Sequence, residues 1–194
     1  SAIAEKPMQR IMRIAGPNAL PLAIIAIVIV FSLAQPAFLK PDNLIGIVRQ
    51  VALIGIMASC MTFVIMTGGV DLSVGPVLSL GGLVAYFCLD ADLPLAIVLL
   101  GGLSAGIAVG LVNGAVIAFL GLPSIIVTLA TLSITRGVAL IIGGPEQHLI
   151  RDEPAYTFIG AGNLFGLPFS IYLFALVAVA MIFIQRRTPL GLLV

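Results

Sequence analysis

The sequence predicts an all-α fold, a polytopic transmembrane helix bundle of about six spans with one broken or re-entrant helix region. Three observations carry this. Of 194 residues, 61% are hydrophobic and 9% charged, with a mean hydropathy of +1.26; a soluble domain has roughly a quarter of its residues charged. The apolar residues come in long runs, and at 1.5 Å per residue a run of about 20 crosses the ~30 Å hydrocarbon layer. Between two of the runs, segment 67–76 breaks the pattern with three glycines, a proline and a carboxylate.

Residues 1–18 are mixed and basic (Lys6, Arg10, Arg13), an expected amphipathic or interfacial lead-in. The first span is expected over 19–38, with Pro21 in its opening turn, where a missing N–H is tolerated. Lys40-Pro41-Asp42-Asn43 is a polar turn, and a second span follows over 45–66 with Arg49 and Gln50 near its start. The apolar run 76–89 reaches only ~21 Å as a helix, too short to span alone. Spans are expected over 95–120, 125–142 and 169–184, with a polar loop at 143–167 holding Glu146, His148, Arg151, Asp152 and Glu153. With both ends on one side, that side carries Lys6, Arg10, Arg13, Arg186 and Arg187 against Lys40, Arg49 and Arg151 opposite. The bias puts both ends of this chain in the cytoplasm.

The remaining bulk properties exclude more than they assign. A formal net charge of +1 gives no long-range field, so no nucleic-acid partner is expected. Cys60 and Cys88 sit inside apolar runs and read as free thiols acting as small hydrophobes. With a single histidine, His148, no metal site is expected. No Gly-rich phosphate loop ending in Lys-Ser/Thr, no His-Glu-x-x-His and no Gly-x-Ser-x-Gly occurs, so neither ATP binding nor a catalytic residue is expected here. No signal-peptide cleavage pattern precedes the first run, which is expected to be retained. A start at Ser1 and a stop at Val194 just after Arg-Arg-Thr-Pro suggest a piece of a longer chain.

Segment 67–76 is the most informative, because non-helical backbone survives at membrane depth only when buried in protein or lining a cavity. Pro76 suits the first helical position, which makes Ser73 or Gly75 the N-cap and leaves Asp71 upstream in the break. Thr67, Gly68, Gly69, Asp71 and Ser73 are therefore candidates for the substrate pathway or for holding the broken helix. Asp71 can serve as a pathway residue, or can accept backbone N–H bonds that hold the turn. In the span 95–120, Gly102, Gly106, Gly110 and Gly114 form an i, i+4 stripe expected to let another helix approach closely. Asn113 projects onto the same face. Thr128, Thr131 and Thr135 share a sector ~60° wide, either a hydroxyl-lined track or silent back-bonding to preceding carbonyls. Arg136 in the same helix is either an interfacial anchor or a functional residue.

Four ordered stretches carry a family resemblance. They are Thr-Gly-Gly-Val-Asp-Leu-Ser-Val-Gly at 67–75, Val112-Asn113-Gly114, Leu122-Pro123-Ser124 through Leu129 leading to Thr135-Arg136-Gly137, and Arg187-Thr188-Pro189-Leu190-Gly191. Together they resemble bacterial ribose-type sugar ABC transporter permeases over essentially the whole chain. That resemblance implies a membrane-spanning permease subunit of a binding-protein-dependent importer for a monosaccharide or similar small polyol, in the bacterial inner membrane. It implies a second permease subunit, a periplasmic sugar-binding protein and ATP-binding cassette ATPase subunits, which bind the ATP. Intact members continue well past position 194, so the chain is expected to be the N-terminal part of one permease domain. The rival reading is a self-sufficient secondary transporter or channel with Asp71 as an ion site; an enzyme is not expected.

Overall fold

The computed structural model describes residues 7–144 and 153–188. Lys6, the loop residues Glu146, His148, Arg151 and Asp152, and Pro189, Leu190 and Gly191 of the last motif lie outside the described residues. In chain order come α1 (Pro7–Ala34), a 3-10 turn (Pro36–Leu39), α2 (Pro41–Met66), α3 (Val74–Asp90), α4 (Leu95–Leu120), α5 (Ser124–Gly143) and α6 (Pro154–Ala161). Strands β1 (Asn163–Leu164) and β2 (Leu167–Pro168) and helix α7 (Phe169–Arg187) follow. Among the described residues, α2, α4, α5 and α7 are long and apolar enough to cross a membrane. The apolar part of α1, Ala19–Ala34, and α3 are shorter apolar helices, so all six expected runs are helical.

The chain divides into two compact units, Ser1–Ile47 and Val48–Val194. In the first, α1 already begins at Pro7, so the lead-in from residue 7 onward is helical and Pro21 lies inside the helix rather than in its opening turn. Proline inside an apolar helix is tolerated where other groups satisfy the freed carbonyl. The helix stops at Ala34, short of the expected 38, because Pro36 pushes Gln35 into an extended conformation (φ −138°, ψ 102°). The Phe31 and Phe38 rings then stack at 5.8 Å across the turn, and Asn43 Nδ2 donates to the Phe38 carbonyl at 2.7 Å.

The second unit is organised around α3. A Cβ placed on Gly81 would lie 3.0 Å from the Gly102 carbonyl oxygen, and one on Gly102 would lie 3.1 Å from that of Gly81. Here α3 and α4 meet backbone to backbone. The Phe174 ring of α7 lies directly on α2 at Gly55. The expected polar loop also contains structure: α6 opens at Pro154, suited to a first helical position. The β1–β2 hairpin then turns on Phe165 (φ 50°) and Gly166 (φ 82°), both positive as a tight type I′ turn requires. Arg49 Nη2 donates to the Ala161 carbonyl at 2.8 Å, and Tyr172 Oη to that of Leu164 at 3.0 Å.

The buried interior inverts a soluble core. Among the described residues, the buried apolar side chains are Ala52, Ala85, Val98, Val127 and Pro168, while Ser73, Asn113, Thr128, Thr135 and Ser170 are buried and polar. Large apolar groups such as Phe119 and Ile141 are exposed. When lipid is the solvent, exposing apolar groups costs little, and polar groups turn inward to find partners.

Candidate functional site at the broken helix

The break starts with an ordinary helix ending. Gly68 takes φ +77°, Gly69 N donates to the Val64 carbonyl at 3.0 Å and Gly68 N to that of Ile65 at 2.9 Å. This is the Schellman pattern, with glycine in the left-handed position after α2. Thr67 Oγ1 adds a bond to the Val64 carbonyl at 2.7 Å. Thr67, Gly68 and Gly69 therefore terminate α2.

Beyond them the non-helical stretch is tied to α5 and closed by its own carboxylate. Ser124 Oγ accepts from Val70 N at 3.1 Å, and Thr128 Oγ1 reaches the Val70 carbonyl at 3.2 Å. Asp71 Oδ1 accepts from both Ser73 N at 2.8 Å and Ser73 Oγ at 2.6 Å, a turn closed by a carboxylate two residues back. Ser73 is the N-cap of α3, one of the two expected caps. Pro76 is not at the first helical position but at the third. It loses nothing there, because the first helical N–H bond is Val77 N to the Ser73 carbonyl at 3.0 Å and N–H groups before it are unpaired in any helix.

A chain of hydrogen bonds continues from Ser73 through buried Asn113 into the bundle. Asn113 Nδ2 donates to Ser73 Oγ at 3.2 Å, and Thr131 Oγ1 donates to Asn113 Oδ1 at 2.6 Å. Seven residues separate Asn113 from the end of α4, and seven separate Thr131 from the start of α5. The helical rise thus sets this network ~10 Å inside the α4–α5 turn. Donors in that setting must be matched, since water is scarce and an unpaired buried polar group costs ~1–3 kcal/mol.

Beside the break, α2, α3 and α4 border an open-sided cavity of about 670 Å³. Its wall is mostly apolar, including Met57, Cys60, Val77, Leu103 and Gly106, with Tyr156 from α6. Asp71 and Ser73 also line it. This volume falls in the range of small-molecule sites. Cys60 and Cys88 are free, and Cys60 faces the cavity.

Several expected roles change with these positions. The threonine face lies against the break and α4 rather than along the cavity. Thr128 and Thr135 are buried, Thr128 and Thr131 also bond back to the Ser124 and Val127 carbonyls, and none of the three lines the cavity. On that face Thr128 bonds the break at Val70 and Thr131 bonds Asn113 of α4. The glycine stripe is close-packed at one end only. A Cβ on Gly102 would meet backbone and one on Gly106 would lie 3.8 Å from Val77, but among the described residues nothing lies within 4 Å of one on Gly110 or Gly114. Arg136 is exposed and outside the cavity lining. Ser124 and Tyr156 join the site without having been expected there. Ser124 had a signal in its place after Pro123 at a helix start, whereas Tyr156 lay in sequence that read as loop.

The family model described as "Branched-chain amino acid transport system / permease component" matches residues 43–194. An L-arabinose ABC transporter permease protein of Azospirillum brasilense is 38% identical over 160 residues, covering 82% of this chain and 47% of the relative. A ribose import permease protein of Bacillus subtilis is 35% identical, covering 88% and 53%. A galactofuranose transporter permease protein of Escherichia coli is 33% identical, covering 94% and 56%. The chain thus spans about half the length of the curated relatives it matches. No solved structure matches.

Proposed function

Because this chain belongs to the ABC permease-component family, we propose that it forms part of the membrane-spanning permease subunit of a binding-protein-dependent importer for a monosaccharide or similar small polyol. The observation that carries the substrate class is the set of relatives, named for arabinose, ribose and galactofuranose. They favour an importer built from several subunits over a self-sufficient carrier. The cavity beside the broken helix supports a pathway role, since it offers room and a polar edge.

In this reading the subunit sits in the bacterial inner membrane with both ends of the present stretch cytoplasmic, as the lysine and arginine distribution favours. A second permease subunit completes the pathway, and a periplasmic sugar-binding protein delivers substrate. ATP-binding cassette ATPase subunits bind ATP and drive the switch between outward- and inward-facing states. This subunit supplies pathway wall and no chemistry. The test is uptake of radiolabelled D-ribose and L-arabinose into vesicles carrying the full-length permease with its ATPase and binding protein. Uptake is expected only with ATP inside and binding protein outside. Uptake driven by an ion gradient without ATP, or no uptake of either sugar, would overturn the reading.

A further inference from the structure

Within the α2–α3–α4 cavity the carboxylate of Asp71 is used on one side only. Both of its hydrogen bonds, from Ser73 N and Ser73 Oγ, fall on Oδ1, and among the described residues Oδ2 has no partner. A carboxylate has about four acceptor sites, so half its capacity is free. Asp71 is half-buried and lines the cavity, so that capacity is open to a molecule held there.

The geometry also holds the group still. Ser73 cannot turn away from Asp71 without giving up the Asn113 bond, and Asn113 is held in turn by Thr131. We propose that Oδ2 of Asp71 accepts a hydrogen bond from a hydroxyl of the transported solute in this cavity, with Ser73, Asn113 and Thr131 as its positioning residues. The proposal rests on the importer reading and assigns the contact within it. A neutral polyol fits better than a metal cation. A hard cation takes about six oxygen ligands, whereas the wall around Asp71 is chiefly aliphatic and thioether. One free carboxylate oxygen matches one hydroxyl, and apolar walls bind the rest weakly enough for release.

The experiment is a discrimination ratio, which is independent of how much transporter folds. Vesicles with the complete transporter are assayed for uptake efficiency with D-ribose, L-arabinose and each of their monodeoxy analogues, with and without sodium. For the wild type, one deoxy analogue of the transported sugar is expected to fall about tenfold below its parent, the loss typical of a missing bond to a charged acceptor. Asp71→Asn keeps the Oδ1 acceptor but replaces Oδ2 with a donor. It is expected to transport the parent poorly and to separate parent from that analogue by less than about twofold, while Asn113→Ala gives an intermediate ratio. Wild-type discrimination in Asp71→Asn would overturn the contact and leave Asp71 as a turn closure alone. Sodium-dependent uptake abolished by Asp71→Asn would replace the hydroxyl with a cation. No sugar uptake by the wild type would instead overturn the importer reading on which the contact rests.

Discussion

The two ends of α3 are reached by chain reversals that use the same backbone device for different purposes. Before α3, α2 closes with Gly68 in the left-handed region and a bond from Gly69 N to the Val64 carbonyl. After α3, Asp92 takes φ 52°, Asp92 N donates to the Leu89 carbonyl at 2.9 Å, and Leu93 N donates to that of Cys88 at 3.0 Å. Both are Schellman endings. Their surroundings differ. The first ending runs into Ser73, 1% exposed and tied to Asp71 and Asn113, whereas Asp90 and Asp92 at the second are exposed. A carboxylate near a helix end is thus no marker of a site by itself. The marker is a carboxylate whose neighbours are buried donors aimed at it.

Substitutions can break this contrast. The largest effect is expected from Ser73→Ala, which removes the Asp71 donor and the Asn113 acceptor together. Leaving a buried amide and part of a carboxylate unmatched should cost about 2–3 kcal/mol, measured by denaturant titration of the protein in detergent. A loss under ~0.5 kcal/mol would mean that the network does not hold the break.

A smaller, opposite-signed pair sharpens the comparison. Gly68→Ala places a Cβ at φ +77° and should destabilise by ~1–2 kcal/mol, the cost of the left-handed region for an ordinary residue. Asp92→Gly should be neutral or stabilise by a few tenths of a kcal/mol, because the left-handed position then carries no Cβ. Thermal midpoints moving the same way in both variants would show that the two endings are not equivalent backbones. Smallest of all is Asp92→Asn. An exposed side chain without a buried partner should change stability by less than ~0.5 kcal/mol, and transport not at all in the uptake assay.

Much of the architecture was legible along the chain. Apolar runs of spanning length mark the long helices, and Gly-Gly followed by Asp-Leu-Ser and Pro76 marks a helix end and a helix start with irregular backbone between. Those signals are local, because a helix needs only its own residues for its bonds. The hairpin at 163–168 was hidden because its strands are two residues each and its turn uses Phe165 where Asn or Asp would announce it. The start of α1 was hidden because proline usually marks a helix opening, and Pro21 does so falsely.

By itself, the sequence determined that this chain lives in lipid, that its long apolar runs are helices, where the helical run is interrupted, and that Ser73 or Gly75 caps the return. Only the tertiary structure decided that Ser73 is the cap and that Asp71, Ser73, Asn113 and Thr131 form one connected chain. It also decided that the glycine stripe is closed at Gly102 and open at Gly114. The reason lies in the solvent. In water an amphipathic pattern tells which helix face turns inward, but α4 is apolar nearly all round, and lipid accepts any of its faces. Which faces meet then depends on close backbone approach and on buried polar groups finding partners on other helices. Those are relations between distant segments, and no local pattern records them.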